Sequence, residues 1–381
     1  MPLRLALLGA FPFPSPQGSQ AYLAGQARAL RDAGAEVSIV CYGRGAEGTE
    51  PELEGIEIAR AARFVSPRSL RSGPQLAKPA ADLALALALL GAQRRRRFDA
   101  VLAHNAEAAS LALALRARLR SPVVYVVHTL LGRELESYAP AAFAAPLRAV
   151  GGRLDGALAR RAAALIVLSR AAERALAAAA RGPVARIPPG LPARQAPEPA
   201  CVAAACRSHG LEPGRFALYA GNLDGYQDLG VLAAAAARLE LPVVVATHGA
   251  GAAPAPLRTI RVADAAAARR LTFGAAVALL PRRAPGGFPV KLLNYMEAER
   301  AIAARASLAD TLEDRRSAWL LDDLAPPESW AAAIRALAGD PSRAARLGAE
   351  ARRALEREHE PLALARRTLD FLRERVLPMD G

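Results

Sequence analysis

The sequence predicts an α/β protein built from two tandem doubly wound domains with a cleft between them. Three observations lead to this prediction: strand-like and helix-like segments alternate in the first half, a proline-rich break follows, and a second alternating set fills the rest. Such alternation is typical of parallel sheets with helices on both faces. A chain of 381 residues is also long enough for two domains.

The amino-terminal half contains short apolar segments that fit buried strands. An amphipathic helix is expected between the first two of them, over residues 19–33, and another helix is expected to begin at Ala171. The expected strands cover residues 3–10, 36–42, 99–104, 122–128 and 163–169.

A run of turn-forming residues interrupts this pattern. Pro188, Pro189 and Gly190, with Pro197 and Pro199 beyond them, favour turns and oppose both helix and central strand. The sequence therefore predicts that one domain ends here and that a linker follows.

The domain boundaries follow from this break. We expect an amino-terminal domain at 1–190, a linker at 191–213 and a carboxy-terminal domain at 214–358. Helical residues 359–381 are expected to pack back across the domains. Strands of the second domain are expected at residues 215–220, 242–247, 258–262 and 276–280. Doubly wound domains bind ligands at the carboxyl ends of their strands, so the motifs at those ends are the candidates for function.

The charge of the chain restricts its partners. A net charge of +14 and a pI near 10.7 invite a nucleic-acid interpretation. Aromatic residues make up only 5% and no recognition motif is present, which argues against a nucleic-acid partner. The basic residues are nearly all arginine, and Lys78 and Lys291 are the only lysines. The densest basic run, residues 94–97, is either a solvated helix end or a patch that attracts an anionic membrane or a phosphorylated acceptor.

Cysteine usage and hydropathy favour the cytoplasm. Cys41, Cys201 and Cys206 form no pattern typical of disulfides or metal sites. The first residues predict a buried strand rather than a secretory leader, and the apolar stretch 80–91 is shorter than the ~20 residues of a membrane-spanning helix. We expect a cytoplasmic protein whose membrane contact, if present, is peripheral and at the inner face.

Polar residues follow the expected strands of the first domain. Gly18 and Ser19 open the first helix, where backbone N–H groups form either an anion site or an ordinary N-cap turn. His104 and His128 each end a strand, where a histidine can donate to a hydroxyl or a phosphate or serve as a structural hydrogen-bonder. Glu107 follows His104 in the motif HNAE. Glu134 begins the helix after His128, either as a ligand for acceptor hydroxyls or as a solvated helix start.

Two loops of the second domain resemble phosphate-binding loops. Gly221 and Gly225 bracket a polar loop that follows the first strand of this domain. A second loop, residues 281–290, leads into a helix that begins near Lys291. Backbone amides and an ammonium group there would suit a diphosphate leaving group, with a solvent-exposed lysine as the alternative. No Asp-x-Asp, Walker loop or His/Cys ligand spacing occurs, so neither a metal nor a cofactor is expected.

The ordered set of motifs resembles glycosyltransferase family 4 over nearly the whole chain. The segments that carry the resemblance are FPFPSPQGSQ, HNAEA, VVHTLLGRELESY, RIPPGLP, YAGNLDGYQDL and GFPVKLLNYM, and they look most like a bacterial branch of that family. The resemblance implies the GT-B fold of two Rossmann-like domains, an acceptor-binding domain at 1–190 and a donor-binding domain at 214–358. It also implies retaining, metal-independent transfer of a sugar from a nucleotide-sugar to an acceptor hydroxyl, in cell-envelope polysaccharide, glycolipid or secondary-metabolite glycosylation.

The resemblance also implies roles for individual residues. His128 and Lys291 match active-site positions that contact the donor sugar and the diphosphate. The expected acceptor-binding residues are His104, Glu107 and Glu134. The expected donor-binding residues are Gly18, Ser19, Gly221, Asn222, Gln227, Arg283, Gly286, Gly287, Phe288 and Asn294. The basic amino-terminal half, rather than the resemblance, suggests that the acceptor is lipid-linked or anionic.

Several residues depart from the family pattern. Gly286 and Asn294 replace a pair of glutamates, and Asn222 and Gln227 replace an arginine and a lysine. Glu299 stands where a glycine is expected and is predicted to strain a turn. The alternative hypothesis is therefore a catalytically degenerate GT-B protein that binds a nucleotide-sugar or a glycan without turnover.

Overall fold

The computed structural model describes residues 1–14, 18–45, 53–66, 78–138, 141–283 and 287–377. Two parallel sheets with alternating helices confirm the predicted α/β class. The chain folds into two compact units. Unit 1 comprises Met1–Gly190, Gly286–Phe288 and Glu360–Gly381, and unit 2 comprises Leu191–Pro285 and Pro289–His359.

Unit 1 contains a seven-stranded parallel sheet in the described part of the chain, with the strand order β3-β2-β1-β4-β5-β6-β7. Strand β1 lies between β2 and β4, so the order reverses there, and a crevice is expected at the carboxyl ends of these strands. The strands are β1 (Arg4–Gly9), β2 (Glu36–Cys41), β3 (Glu57–Arg60), β4 (Ala100–His104), β5 (Val123–Val127), β6 (Ala164–Val167) and β7 (Val184–Arg186).

Helices cover the sheet of unit 1 because its central strands are apolar on both faces. Every residue of β4 and β5 is buried, as expected for a parallel sheet between helical layers. The helices are α1 (Gly18–Asp32), α2 (Lys78–Arg96), α3 (Asn105–Ala114), α4 (Arg116–Leu119), α5 (Leu131–Tyr138), α6 (Ala141–Arg161) and α7 (Arg170–Leu176).

Unit 2 contains a six-stranded parallel sheet in the described residues, with the order β10-β9-β8-β11-β12-β13. Its strands are β8 (Ala217–Ala220), β9 (Val243–Thr247), β10 (Arg258–Arg261), β11 (Val277–Leu280), β12 (Ala301–Arg305) and β13 (Trp319–Leu321). Its helices are α8 (Pro199–Ser208), α9 (Leu229–Ala236), α10 (Ala265–Gly274), α11 (Lys291–Glu297), α12 (Pro327–Ala338) and α13 (Pro341–Glu358). The order reverses between β8 and β11, which places that pair at the expected ligand edge.

The segment 191–213, expected to be a linker, contains helix α8. Pro199 occupies the first helical position, where a missing N–H costs nothing, so it starts a helix rather than a turn. Val202 and Cys206 are buried and pack against α10 within unit 2. The interpretation of Pro199 as turn chemistry was therefore wrong.

The last helix, α14 (Pro361–Arg375), lies in unit 1 and packs on α1. It buries Leu364, Leu369 and Leu372. No described helix combines the length and apolar character needed to cross a membrane.

The turn between α11 and β12 is strained at the residue that the sequence singled out. Glu299 adopts φ 52°, in the left-handed region that a glycine occupies without cost. Its carbonyl oxygen packs against the backbone of Gly348, where a Cβ would overlap it. The turn is therefore held in place by packing although its residue type opposes it.

We expect Glu299→Gly to raise the free energy of unfolding by about 1 kcal/mol, because it removes the contact between Cβ and the following carbonyl in the left-handed conformation. Urea denaturation measures the change. Glu299→Ala, which keeps the Cβ, serves as the control and should gain nothing. An equal gain in both variants would show that the charge of Glu299, not its backbone, is unfavourable.

Candidate active site

The carboxyl ends of β8 and β11 carry most of the predicted donor-binding residues. These strands are parallel neighbours in unit 2, so the loops that follow them meet at one edge. Helix α11 is fixed to this edge because the hydroxyl of Tyr295 accepts a hydrogen bond of 2.9 Å from the backbone N–H of Ala220. Lys291 is the first residue of α11, and the anchored helix therefore determines where its ammonium group lies.

The ammonium of Lys291 is held by two oxygen atoms. Its Nζ donates to the hydroxyl of Tyr219 over 2.6 Å and to Oε1 of Gln227 over 3.1 Å. Nζ also lies 4.1 Å from the centroid of the Tyr219 ring, a cation–π distance. Lys291 is half-buried, which is inconsistent with the alternative of a freely solvated lysine.

A chain of amide hydrogen bonds continues from Lys291. Gln227 is 3% exposed, and its Nε2 donates to Oδ1 of Asn222 over 2.7 Å. Asn222 Nδ2 in turn donates to Asp224 over 2.6 Å and to the Tyr226 hydroxyl over 3.2 Å. The structure thus brings together Lys291, Gln227 and Asn222, which the sequence had placed in two separate loops.

Gly221 is required by the close approach of the lysine. A Cβ at this position would overlap Nζ of Lys291 and crowd the hydroxyl of Tyr219. The loop after β8 therefore needs glycine for packing reasons that do not depend on its dihedral angles. Gly221 is the third predicted donor-binding residue that joins Lys291 in this cluster, which we call the Lys291 network (Tyr219, Gly221, Asn222, Gln227, Lys291).

Electrostatics at this network disfavour the charged lysine. Burial lowers the pKa of Lys291 well below its usual range, and the nearby positive charge of Arg282 lowers it further, while Asp224 opposes both effects. Arg282 lies 5.2 Å from the centroid of the Tyr226 ring. Neither Tyr219 nor Arg282 was singled out from the sequence, because their importance arises from tertiary contacts.

Asn294 joins a different cluster on α11. Its Oδ1 accepts a hydrogen bond of 3.1 Å from Arg194, which comes from the segment expected to be a linker. Arg194 and Arg269 both bind the carboxylate of Glu297, which is 3% exposed. A buried carboxylate between two guanidinium groups holds Asn294 and the end of α11 in a fixed geometry.

Arg283 faces a cavity rather than the Lys291 network. Its Nε lies 2.7 Å from Oδ2 of Asp228, and the same carboxylate binds the buried Arg305. These residues line a cavity of about 610 Å³ in unit 2, together with Asp323 and the start of α12. The structure therefore does not place Arg283 with the other predicted donor residues.

Two histidines meet at the carboxyl ends of β4 and β5 in unit 1. Nδ1 of His104 lies 2.8 Å from Nε2 of His128, within hydrogen-bond distance. Tyr22 of α1 packs on both imidazoles, with ring centroids 5.8 and 4.9 Å away. Burial lowers the pKa of His128 to about 3 and that of His104 well below its usual range, so both rings are neutral.

The predicted acceptor-binding carboxylates lie on the helices that follow β4 and β5. Glu107, in the first turn of α3, forms an ion pair of 2.8 Å with Lys78. Burial raises the pKa of Glu107, the nearby Asp82 raises it further, and Lys78 opposes the shift. Asp82 accepts a hydrogen bond of 2.5 Å from Tyr42. Glu134 is half-buried in the first turn of α5.

The remaining predicted residues occupy loops and a helix start. Gly18 begins α1, and a Cβ there would meet open space; Ser19 is the second residue of the helix and not its N-cap. Gly287 belongs to unit 1, where a Cβ would overlap the carbonyl oxygen of His128. Phe288 is buried. Gly286 lies outside the described residues.

Residues 16–195 match the model of Glycosyltransferase Family 4. No curated protein matches the sequence. Among solved structures, sucrose-phosphate synthase from Thermosynechococcus elongatus is similar, with a TM-score of 0.78, 16% identity and 98% of each chain covered.

Two further structures share the fold. HepE from Anabaena, in complex with UDP and glucose, has a TM-score of 0.75 and 16% identity, and the match covers 97% of this chain and 99% of that one. The lipopolysaccharide outer core galactosyltransferase WaaB has a TM-score of 0.62 and 12% identity, covering 97% and 98%. These findings confirm the predicted GT-B fold and the resemblance to family 4.

The lowered pKa of Lys291 predicts how its contribution to stability depends on pH. The unfolded chain, with a lysine pKa of about 10.4, binds more protons than the folded protein over the interval between the two pKa values. The contribution of Lys291 to stability therefore rises with pH across that interval. We expect wild-type protein to gain stability relative to Lys291→Met as the pH rises from 7 to 10.

Urea denaturation at each pH measures this difference. Arg238→Met, which removes an exposed positive charge of unit 2 paired with Glu328, is the matched control and should track the wild type. A difference between Lys291→Met and wild type that stays constant with pH would contradict the lowered pKa.

Proposed function

We propose that the chain is a glycosyltransferase of family 4 that transfers a sugar from a nucleotide-sugar to an acceptor hydroxyl, with retention of configuration and without a metal ion. The family match over residues 16–195 and the shared fold support this class of enzyme. The observation that carries the finer proposal is the Lys291 network, in which a lone lysine is held ready at the carboxyl ends of β8 and β11.

The hydrogen-bond geometry of Lys291 suits a phosphate oxygen. An ammonium has three N–H donors, and Tyr219 and Gln227 accept two of them. The third donor has no acceptor among the described residues and is available for a ligand. An anion beside Nζ would also raise the pKa of the lysine, so binding of a diphosphate and uptake of a proton would be coupled.

This cation supplies the stabilisation that the reaction needs. In the proposed step, the acceptor oxygen forms a bond to the anomeric carbon while the bond from that carbon to the diphosphate oxygen breaks. The acceptor proton passes to the departing diphosphate, and Lys291 stabilises the negative charge that develops there. Attack from the face that the diphosphate leaves retains the configuration and needs no protein nucleophile.

A UDP-sugar is the first donor to test. HepE, which shares the fold over nearly the whole chain, was solved with UDP and with UDP-glucose. In this proposal the Lys291 network binds the diphosphate and does not contact the nucleotide base. Donors with other bases are therefore included in the experiment.

We propose further that the protein works on a lipid-linked or anionic acceptor at an anionic membrane surface, through helix α2. Leu83 and Leu87, one turn apart on α2, are 66% and 64% exposed, and the same helix ends in Arg94–Arg96. Two exposed leucines on a helix that ends in a basic cluster can enter an anionic membrane interface. Arg95 and Arg96 are partly neutralised by Glu57.

Lys291→Met should weaken donor binding about 10- to 100-fold, because it removes a charge-assisted hydrogen bond to phosphate. It should lower kcat on the order of 100-fold or more, because the leaving group loses its cation. Isothermal titration with UDP-, GDP-, ADP- and dTDP-sugars identifies the donor. Titration in two buffers of different ionisation enthalpy measures proton uptake, which should disappear in the variant.

The same assay separates the proposal from its alternatives. Arg238→Met should bind the donor as wild type does. Turnover that persists in EDTA and gives a product of unchanged anomeric configuration supports the metal-independent, retaining reaction, and inversion or loss of activity in EDTA contradicts it. Donor binding without turnover on a broad acceptor panel would favour the degenerate GT-B protein.

The membrane contact is tested with vesicles. Leu83→Ser combined with Leu87→Ser should lower binding to anionic vesicles about 10-fold, because two leucines no longer enter the interface. Sedimentation with anionic and with neutral vesicles measures this. Leu324→Ser, at a leucine of unit 2 that is 90% exposed, is the matched control and should leave binding unchanged. Equal binding by all three proteins would overturn the assignment of α2.

A further inference from the structure

The histidine pair of unit 1 is buried to an unusual degree for groups that can ionise. His104, the last residue of β4, has no exposed surface, and His128, which directly follows β5, keeps 6%. Strands β4 and β5 are parallel neighbours, with His104 opposite Val126, so both rings lie at one edge of the sheet. Tyr22 packs on both of them and excludes water from that side.

Two neutral imidazoles that share a hydrogen bond can be arranged in two ways. A neutral ring carries one N–H and one bare nitrogen. Either His104 donates from Nδ1 to Nε2 of His128, or His128 donates from Nε2 to Nδ1 of His104. The direction of this hydrogen bond also determines which nitrogen of the accepting ring carries its hydrogen, because each neutral ring has only one N–H.

The unused nitrogen of His104 distinguishes these arrangements. Nε2 of His104 is fully buried and has no hydrogen-bond partner among the described residues. If His128 were the donor, this nitrogen would carry a buried N–H without an acceptor, an arrangement that is rare in folded proteins. If His104 is the donor, the same nitrogen is a bare acceptor, which is tolerated more often.

The resulting tautomer leaves His128 with a hydrogen on Nδ1. This nitrogen makes no hydrogen bond with the described residues, and His128 keeps the exposure that His104 lacks. The hydrogen bond from the fully buried His104 therefore determines which nitrogen of His128 carries the hydrogen. A neutral N–H at this place donates to an oxygen without requiring a charge.

We propose that His104 is a positioning residue: it donates from Nδ1 to Nε2 of His128 and thereby holds His128 as the tautomer whose Nδ1–H donates to a substrate oxygen. The step to a substrate oxygen rests on the proposed function. The tautomer assignment does not rest on the proposed function, because it concerns the protein without substrate.

The tautomers are measured directly by NMR of protein with isotope-labelled histidine, through the couplings of ring nitrogens to ring hydrogens. His104→Asn and His128→Asn assign the signals. We expect a protonated Nδ1 and a bare Nε2 in both rings at neutral pH. A protonated Nε2 in either ring would overturn the proposal, and this outcome does not depend on any activity.

Substitutions test the positioning role. His104→Asn places an amide N–H where Nδ1 was and should keep activity within a few-fold of wild type. His104→Leu cannot donate and should lower kcat about 10- to 100-fold, the cost of one well-formed hydrogen bond. Because His104 acts only through His128, the double variant with His128→Leu should be no slower than His128→Leu alone.

The outcomes separate the two proposals. Independent, additive losses in the double variant would overturn the positioning role. If wild type transfers sugar from no donor, the proposed function fails while the NMR result still decides the tautomer. If His104→Leu does not fold, circular dichroism shows it, and His104→Asn together with the NMR signals of the wild type carries the test.

Discussion

The hydrogen bond between the Tyr295 hydroxyl and the backbone of Ala220 determines the geometry of the candidate donor site. It joins a helix to the end of a neighbouring strand, and Lys291 is the first residue of that helix. Once α11 is fixed, Nζ must lie beside the Tyr219 ring and under the loop after β8. Glycine at position 221 and glutamine at position 227 then follow from space and hydrogen bonding. The position of the lysine ammonium therefore depends on a tyrosine that is itself fully buried.

The candidate binding groups of the two units differ in their charge. Unit 2 keeps a cation whose charge the surroundings disfavour, which prepares it to respond strongly to an anion. Unit 1 holds two histidines neutral by burial, so that its donor strength does not change with pH near neutrality. The first arrangement suits a ligand that brings negative charge, and the second suits a ligand that brings hydroxyl oxygens. This division agrees with a reaction in which a diphosphate and a polyhydroxylated sugar must both be held.

Much of the fold could be predicted from the sequence because its central strands are short apolar runs between turn signals. Strands β1, β2, β4 and β5 lie inside their predicted ranges. Strand β3 was missed because its four residues include Glu57 and Arg60 and lie at the edge of the sheet. Helix α8 was missed because a proline at a first helical position looks the same in sequence as a proline in a turn.

The candidate site was only partly predictable for a related reason. Strand ends indicated His104, His128 and the loop residues around Gly221, because parallel strands deliver their carboxyl ends to one edge. The roles of Tyr219, Tyr295 and Arg194 depend on contacts between segments that are 70 to 100 residues apart. No local sequence pattern predicts such contacts. Arg283 illustrates the opposite case: it is a basic residue in the expected loop, but its side chain pairs with Asp228 and not with the Lys291 network.

The scarcity of lysine has a consequence for the chemical reactivity of this protein. The chain has two ε-amino groups, and each is held internally, one by Glu107 and the other by Tyr219 and Gln227. An amine whose pKa is lowered is a good nucleophile near neutral pH. Reagents that acylate amines modify most proteins at many surface lysines, but here the only ε-amino targets are Lys78 and Lys291. The lowered pKa favours reaction at Lys291. A bound donor would shield that amine, so covalent labelling becomes a footprint of occupancy.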